Sequence, residues 1–278
     1  MIAIPRRVRR TTRITVVTIV GLILAFPLIY LIFGSVMTSA QLTSFPPQFI
    51  PTSLHLGNYS LAWDYVRGRS VINSVIFTAV TVTLQWALCI SAGFALAKLR
   101  FRASNKVTAL FALSLFIPAV TTLVPTFIVT DKLQLVNTYP GLILPIAAQT
   151  GFGTLLFRQY IVNLPGELID AARVDGSTWL GILRRVIIPL AAPATGAYVA
   201  ISVLTAWNLY LWPLVVATKP SVEVMTETLA PLASSQYGGG IPENVAFAAT
   251  ALTTLPMVVA FLIAQRAFVR GLSGSGVE

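Results

Sequence analysis

One stretch of the sequence mixes acidic, basic and apolar residues at helical spacing, from Leu164 to Pro193 (LPGELIDAARVDGSTWLGILRRVIIPLAAP). Apolar residues three and four positions apart indicate helix, and the interleaved charges indicate helix outside the hydrocarbon of a membrane. The chemistry that we expect here is polar contact with a partner. The charged residues of the stretch are Glu167, Asp170, Arg173, Asp175, Arg184 and Arg185.

The residue types needed for catalysis or metal binding are scarce. The sequence has one histidine, His55, and one cysteine, Cys89, which lies within a long apolar run. Neither a metal cluster nor a Cys/His dyad can be assembled from them. No GxxxxGK[ST] loop is present, so we expect no nucleotide to bind this chain directly. The sequence predicts a protein that is not itself an enzyme.

Local signals divide the charged stretch into two helices. Pro165 suits a first helical turn, Glu167 favours the positive end of the helix dipole, and Gly176 can take the left-handed conformation that ends a helix. These signals predict a helix from about Pro165 to Asp175. Ser177 or Thr178 can cap a second helix, with apolar residues at i, i+3, i+4 and i+7 from Trp179, and Pro189 is expected to stop or kink it.

The whole sequence has the composition of a membrane protein. Of its 278 residues 56% are hydrophobic and only 10% are charged, with a mean hydropathy of +0.81. Runs without charge that are long enough for a bilayer predict an all-α protein with six transmembrane helices. The six runs are roughly Ile14–Met37, Val71–Ala97, Val107–Thr130, Gly141–Phe157, Ala194–Ala217 and Asn244–Gln265.

The lysines and arginines indicate the orientation. Cytoplasmic loops of membrane proteins are enriched in these residues. With a cytoplasmic N-terminus, fifteen of the 19 fall on the cytoplasmic side, and only Arg67, Arg69, Lys132 and Lys219 fall on the other. Both termini and the charged stretch are therefore expected in the cytoplasm, and the net charge of +10 gives no reason to expect nucleic acid. The predicted divisions are a basic segment 1–13, a six-helix transmembrane domain 14–268 containing the loop 164–193, and a tail 269–278.

Two loops are predicted on the outer side, about Thr38–Ser70 and Thr218–Glu243. The first is rich in proline and is expected to pack an irregular segment over the outer face. Both are long enough to touch something that docks from outside, although they could equally be plain connectors.

The predicted spans contain no Asp, Glu, Lys, Arg or His. Proton-driven transporters normally place ionisable groups at membrane depth, so transport by this chain would need energy from a partner. Mild polar stripes do occur, and they either line a neutral pathway or join helices by hydrogen bonds. The pathway candidates are Thr78, Gln85, Asn208 and Thr254.

The charged stretch resembles the EAA loop of ABC-importer permeases, EAA–x3–G–x9–I–x–LP. It reads Asp170-Ala171-Ala172, three residues, Gly176, nine residues, Val186, one residue, Ile188-Pro189. The segments FPPQFIPTSLHLGNYSLAW, VNTYPGLILP, AWNLYLWPLVV and QRAFVRGLSGSGV extend the resemblance to the MalG-type permeases of carbohydrate importers. One motif of that family, TLP–x–GL, departs here to Thr228-Leu229-Ala230-Pro231-Leu232.

The resemblance implies a type I ABC importer permease fold in the cytoplasmic membrane of a bacterium or archaeon. It implies a heterodimer with a MalF-like permease, two ABC ATPase subunits that bind ATP and Mg²⁺, and an extracytoplasmic solute-binding protein that delivers a sugar. The first helix of the loop would be the coupling helix that docks on an ATPase. The implied coupling residues are Glu167, Asp170, Ala171, Ala172, Asp175, Gly176 and Pro189.

Other functions remain compatible with parts of the sequence. Importers of glycerophosphate or glycerophosphodiesters use similar permeases. A secondary transporter would predict ionisable residues within the spans and an internal repeat, and the sequence has neither. A structural membrane protein would fit six uncharged spans but leaves the loop motif without an explanation.

Overall fold

The computed structural model describes residues 6–99, 101–233 and 241–273. The ends of the predicted basic segment and tail (residues 1–5 and 274–278) and Arg100 lie outside these ranges. Within them the chain is helical, without strands. The helices are α1 Arg6–Ser35, α2 Ser39–Leu42, α3 Gly57–Val66, α4 Gly68–Lys98, α5 Ser104–Ser114, α6 Ala119–Lys132, α7 Tyr139–Ala147, α8 Gly151–Val162, α9 Gly166–Val174, α10 Trp179–Ile182, a π-helical turn Leu183–Ile187, α11 Ile188–Leu190, α12 Ala192–Trp207, α13 Leu211–Val216, α14 Met225–Ala233 and α15 Glu243–Ser273.

The chain divides into two compact units, of which the first comprises residues 1–67 and 229–255. Asn58 of α3 joins the two chain segments of this unit. The Nδ2 of Asn58 donates to the carbonyls of Ser35 at 3.0 Å and Met37 at 2.8 Å. The Oδ1 of Asn58 accepts from the Nδ2 of Asn244 at 2.8 Å. Each polar atom of this buried amide is therefore used. The outer loop predicted to hold an irregular segment contains α2, which follows a capping box at Thr38, and α3, whereas the proline-rich residues 43–56 between them are irregular.

The second unit comprises residues 68–228 and 256–278, and α4 runs through its centre. At one end of α4, Phe94 packs with Phe157 and Ile161 of α8 in a buried apolar cluster. Towards the other end, Phe77 belongs to a second cluster with Leu142, Trp212 and Val216. Gly93 permits the close packing of α4 on α8, because an added Cβ would lie 2.9 Å from the backbone nitrogen of Arg158.

Three predicted spans are not the continuous helices that hydropathy indicates. Val107–Thr130 is divided into α5 and α6, which meet at 103°; Gly141–Phe157 is divided into α7 and α8 at 45°. The predicted span Ala194–Ala217 ends as a helix at Trp207 and continues as α13. The first break has a clear cause: Pro118 is extended at φ −61° and ψ 132° and stands as the N-cap of α6.

Length and composition identify α1 and α4 as helices that can cross a membrane, and up to five spans if each bent pair counts as one. The third bent pair is Trp179–Leu190 with α12, at 78°. The apolar helix Glu243–Val259 is the first part of α15, which is 31 residues long. The count of six spans thus stays a prediction.

Candidate functional site

The predicted helix in the charged stretch is confirmed as α9. It begins after Pro165, which is extended at φ −53° and ψ 126°, and it ends at Val174. Ile169 is only 6% exposed and packs into the same apolar cluster as Phe94 and Phe157. One side of this short helix is therefore anchored on the ends of α4 and α8.

Gly176 ends α9 in the manner that the sequence predicts. Its φ is +78°, and its N–H donates to the carbonyl of Arg173 at 3.1 Å. The N–H of Ser177 donates to the carbonyl of Ala172 at 2.9 Å. These two bonds form a Schellman motif, which uses the last free carbonyls of the helix and turns the chain sharply.

The carboxylates of the stretch face solvent. Glu167, Asp170 and Asp175 are exposed, and none forms an ion pair within the part of the chain that the structure describes. Arg173 lies instead over the ring of Trp179, 4.6 Å from its centroid. The alternative in which Asp170 pairs with Arg173 is therefore not formed, and the three carboxylates remain available to a partner.

The second helix of the stretch is capped by Thr178, whose Oγ1 accepts from the N–H of Gly181 at 3.2 Å. It is not a uniform α-helix, because a π-helical turn at Leu183–Ile187 follows α10. After Pro189 the chain bends by 78° into α12. The predicted kink is confirmed. Of the two alanines of the motif, Ala171 is exposed and Ala172 packs against the apolar cluster.

Two hydrogen bonds that sequence reasoning missed hold both ends of the stretch. Lys98 Nζ donates to the carbonyl of Leu164 at 3.1 Å, where the stretch begins. The hydroxyl of Tyr160 donates to the carbonyl of Leu190 at 3.1 Å, where it ends. Trp179 adds an aromatic contact with Phe94, with ring centroids 6.1 Å apart. A force on α9 would therefore reach α4 and α8 directly.

Among the pathway candidates, Gln85 lies in a cleft of about 270 Å³. Its Nε2 donates to the carbonyl of Ile146 at 2.8 Å. Gln149, Tyr198 and Ser202 line the same cleft. Sequence reasoning missed Gln149 and Tyr198, since Gln149 lies in the break between α7 and α8 and a lone tyrosine in an apolar run gives no signal. This arrangement offers amide and hydroxyl groups suited to hydroxyl-bearing ligands.

The other candidates do not join this cleft. Thr78 is buried on α4, and its Oγ1 has no hydrogen-bond partner in the described ranges. Asn208 is exposed and donates to the carbonyl of Leu204 at 2.8 Å. Thr254 belongs to the first unit, and its hydroxyl donates to the carbonyl of Thr250 at 2.7 Å within its own helix.

The second predicted outer loop is fixed to the start of α4. Asn73 Nδ2 donates to the carbonyls of Ser221 at 3.2 Å and Glu223 at 2.8 Å, and Ser74 Oγ accepts from the N–H of Met225 at 2.8 Å. Further along the same loop, burial raises the pKa of Glu227 to about 7, and the negative charge of Glu223 also raises it. Residues 221–225 of the loop are therefore held against α4.

Two segments that carry the family resemblance meet in the second unit. Trp212 Nε1 donates to the carbonyl of Leu142 at 3.0 Å, and Asn137 N donates to the carbonyl of Val216 at 2.8 Å. Between them, Gly141 lies so close to the carbonyl of Leu135 that no side chain would fit. The motifs VNTYPGLILP and AWNLYLWPLVV thus form one packed joint.

Known proteins are similar to this chain over most of its length. The Arabinooligosaccharides transport system permease protein AraQ of Halalkalibacterium halodurans is 35% identical over 268 residues, which cover 93% of each chain. The sn-glycerol-3-phosphate transport system permease protein UgpE of Yersinia pestis is 30% identical over 268 residues, covering 94% of this chain and 95% of that one.

A solved structure shows the same fold. It is a chain of a bacterial ABC transporter involved in the import of the acidic polysaccharide alginate, with a TM-score of 0.82 and 22% identity, covering 96% of this chain and all of that one. Residues 87–274, which include the charged stretch and begin two positions after Gln85, match the family described as binding-protein-dependent transport system inner membrane component. The protein belongs to this family of membrane transport subunits.

Proposed function

We propose that this protein is the permease subunit of an ATP-driven importer that takes up a sugar or oligosaccharide delivered by an extracytoplasmic solute-binding protein. Family membership supports the dependence on a binding protein. The relative at 35% identity, whose name refers to arabinooligosaccharides, supports a carbohydrate as substrate. The neutral amides and hydroxyls in the cleft at Gln85 suit such a ligand.

The observation that carries the coupling role is the two-sided character of α9. Its Ile169 is seated in the apolar cluster of α4 and α8, while Glu167, Asp170 and Asp175 face solvent without ion pairs among the described residues. A helix that is anchored on one side and acidic on the other is suited to dock into a partner and to pass on its movement. Ala171 allows close approach, Gly176 sets the turn that follows α9, and Pro189 precedes the bend into α12.

The full assembly would contain this chain, a second permease that resembles MalF, and two ABC ATPase subunits below α9. ATP and Mg²⁺ would be bound by the ATPase subunits and not by this chain. Six spans with both termini in the cytoplasm, in the cytoplasmic membrane of a bacterium or archaeon, would place the charged stretch on the ATPase side. The positive-inside distribution of lysine and arginine supports this orientation.

A glycerol phosphate is the second candidate substrate, since the UgpE relative covers nearly the whole chain. The absence of ionisable residues from the predicted spans favours a neutral sugar. Identification of the ligand held by the cognate solute-binding protein decides between the two, because that protein delivers the substrate.

The test of the coupling role is the Asp170→Lys variant, with Asp131→Lys as the matched control. Both replace an exposed aspartate, but Asp131 lies at the end of α6 on the predicted outer side. We expect Asp170→Lys to abolish uptake and substrate-stimulated ATP hydrolysis while membrane insertion persists, because it brings a positive charge to the docking face. The control should retain both activities.

Affinity purification of the wild-type chain should also recover an ATPase with a Walker motif. Coupled transport at the wild-type level by the Asp170→Lys variant would overturn only the coupling role of α9 and would leave the proposed importer function standing. Failure to recover any ATPase would overturn the proposed importer.

A further inference from the structure

A basic cavity of about 610 Å³ lies where α4 ends, the chain turns and α5 begins. Lys98, Arg102 and Arg158 line it, and no acidic residue is among the described residues around it. Three cations around one cavity repel each other unless an anion lies among them. Neither the coupling role of α9 nor the cleft at Gln85 accounts for this cluster.

Arg158 provides the strongest indication that the cavity suits an anion. Its Nε is buried and has no hydrogen-bond partner within the described ranges. A buried guanidinium N–H without an acceptor raises the free energy of the folded state, because its hydrogen bond to water is lost and no other hydrogen bond replaces it. The backbone nitrogen of Arg158 packs closely against Gly93 of α4, which fixes the position of this residue on α8.

The start of α5 adds a second contribution. Ser104 and Asn105 of its first turn line the cavity, and no side chain caps this 11-residue helix. The N–H of Ser104 already donates to the carbonyl of Phe101 at 3.1 Å, but the start of the helix still carries the positive end of its dipole, which attracts phosphate and similar anions. Lys98 gives one hydrogen bond to Leu164 and keeps two more donors on its ammonium.

We propose that this cavity binds the phosphate of an anionic phospholipid headgroup. The chain belongs to a family of membrane components, and the end of α4 is where a membrane-crossing helix reaches the headgroups. Phe101, 43% exposed, lies on the cavity wall and can contact acyl chains beside the headgroup. Basic residues at such a surface attract anionic lipid. The inference goes beyond the importer function and holds for either candidate substrate.

Native mass spectrometry of the purified transporter tests the proposal, with phosphatidylglycerol and phosphatidylcholine added separately after delipidation. We expect the wild type to retain phosphatidylglycerol preferentially. Arg158→Gln and Arg102→Gln should each weaken this binding by at least about tenfold, as expected for a lost charge-assisted hydrogen bond. Lys106→Gln is the matched control, since it removes an exposed charge of α5 that does not line the cavity.

The outcomes separate the possible ligands. Equal binding of both lipids, or an equal loss of phosphatidylglycerol in Lys106→Gln, would overturn the proposal. If millimolar inorganic phosphate displaces the lipid and fully occupies the cavity itself, the cavity is a site for a soluble anion instead. If Arg158→Gln does not fold, the exposed Arg102 decides the result, and thermal unfolding of each variant shows whether a loss of lipid reflects a loss of structure.

Discussion

At the scale of single residues, short-range signals in the sequence were sufficient to predict both ends of α9 and the start of α10. Gly176 takes the left-handed conformation and Thr178 caps the next helix, as expected from their types and positions. The bonds from Lys98 to Leu164 and from Tyr160 to Leu190 could not be predicted. They join residues 66 and 30 positions apart, and nothing local to either partner indicates the other.

Gly176→Val should uncouple transport. At φ +78° a residue with a Cβ is strained by about 1–2 kcal/mol, and a β-branched one by more. The variant should relieve this strain by opening the turn and displacing α9, although no atom stands in the way of the new side chain. We expect a strong loss of uptake and of substrate-stimulated ATP hydrolysis in reconstituted vesicles, with normal insertion.

Gly57→Val provides the control for this substitution. Gly57 begins α3, has open space around it and does not have a positive φ. Its variant should transport at close to the wild-type rate. Uptake at the wild-type level by Gly176→Val would show that the turn does not transmit movement.

At the scale of elements, hydropathy located the apolar runs but not their breaks. Pro118 marks a boundary in the sequence, yet a proline does not specify the 103° angle between α5 and α6, which depends on what each helix packs against. The π-helical turn at Leu183–Ile187 has no signal either, because its residues continue the apolar period of the preceding helix.

The packing of α4 on α8 gives a prediction at this scale. A Cβ on Gly93 would lie 2.8 Å from Phe157 Cβ and 2.9 Å from the backbone nitrogen of Arg158, so Gly93→Ala must push the two helices apart. Overpacking of this kind lowers the free energy of unfolding by about 1–3 kcal/mol. The thermal unfolding midpoint of the purified transporter should fall. Gly21→Ala on α1 is the control, since nothing lies within 4 Å of its new methyl group, and an equal midpoint in both variants would contradict the close contact.

At the scale of the whole molecule, composition and charge distribution were enough to indicate a helical membrane protein with one charged stretch outside the hydrocarbon. The breaks matter here because, in the part of the chain that the structure describes, α1 and α4 are the two helices long and apolar enough to cross a membrane by themselves. Whether each bent pair crosses or turns back depends on neighbours in the assembly, which a single sequence does not encode in its hydropathy. Orientation therefore needs a direct measurement.

The nearly cysteine-free sequence makes that measurement simple. Cys89 is the one native cysteine, and it is fully buried. We expect a membrane-impermeant maleimide to label Lys219→Cys from the outside of intact cells, because Lys219 is exposed and lies on the predicted outer side. Lys106→Cys, exposed at the start of α5, should be labelled only in inverted vesicles. The wild type should remain unlabelled in both preparations. Labelling of Lys106→Cys from outside intact cells would reverse the orientation, and would thereby place α9 and its exposed carboxylates beyond the reach of a cytoplasmic ATPase.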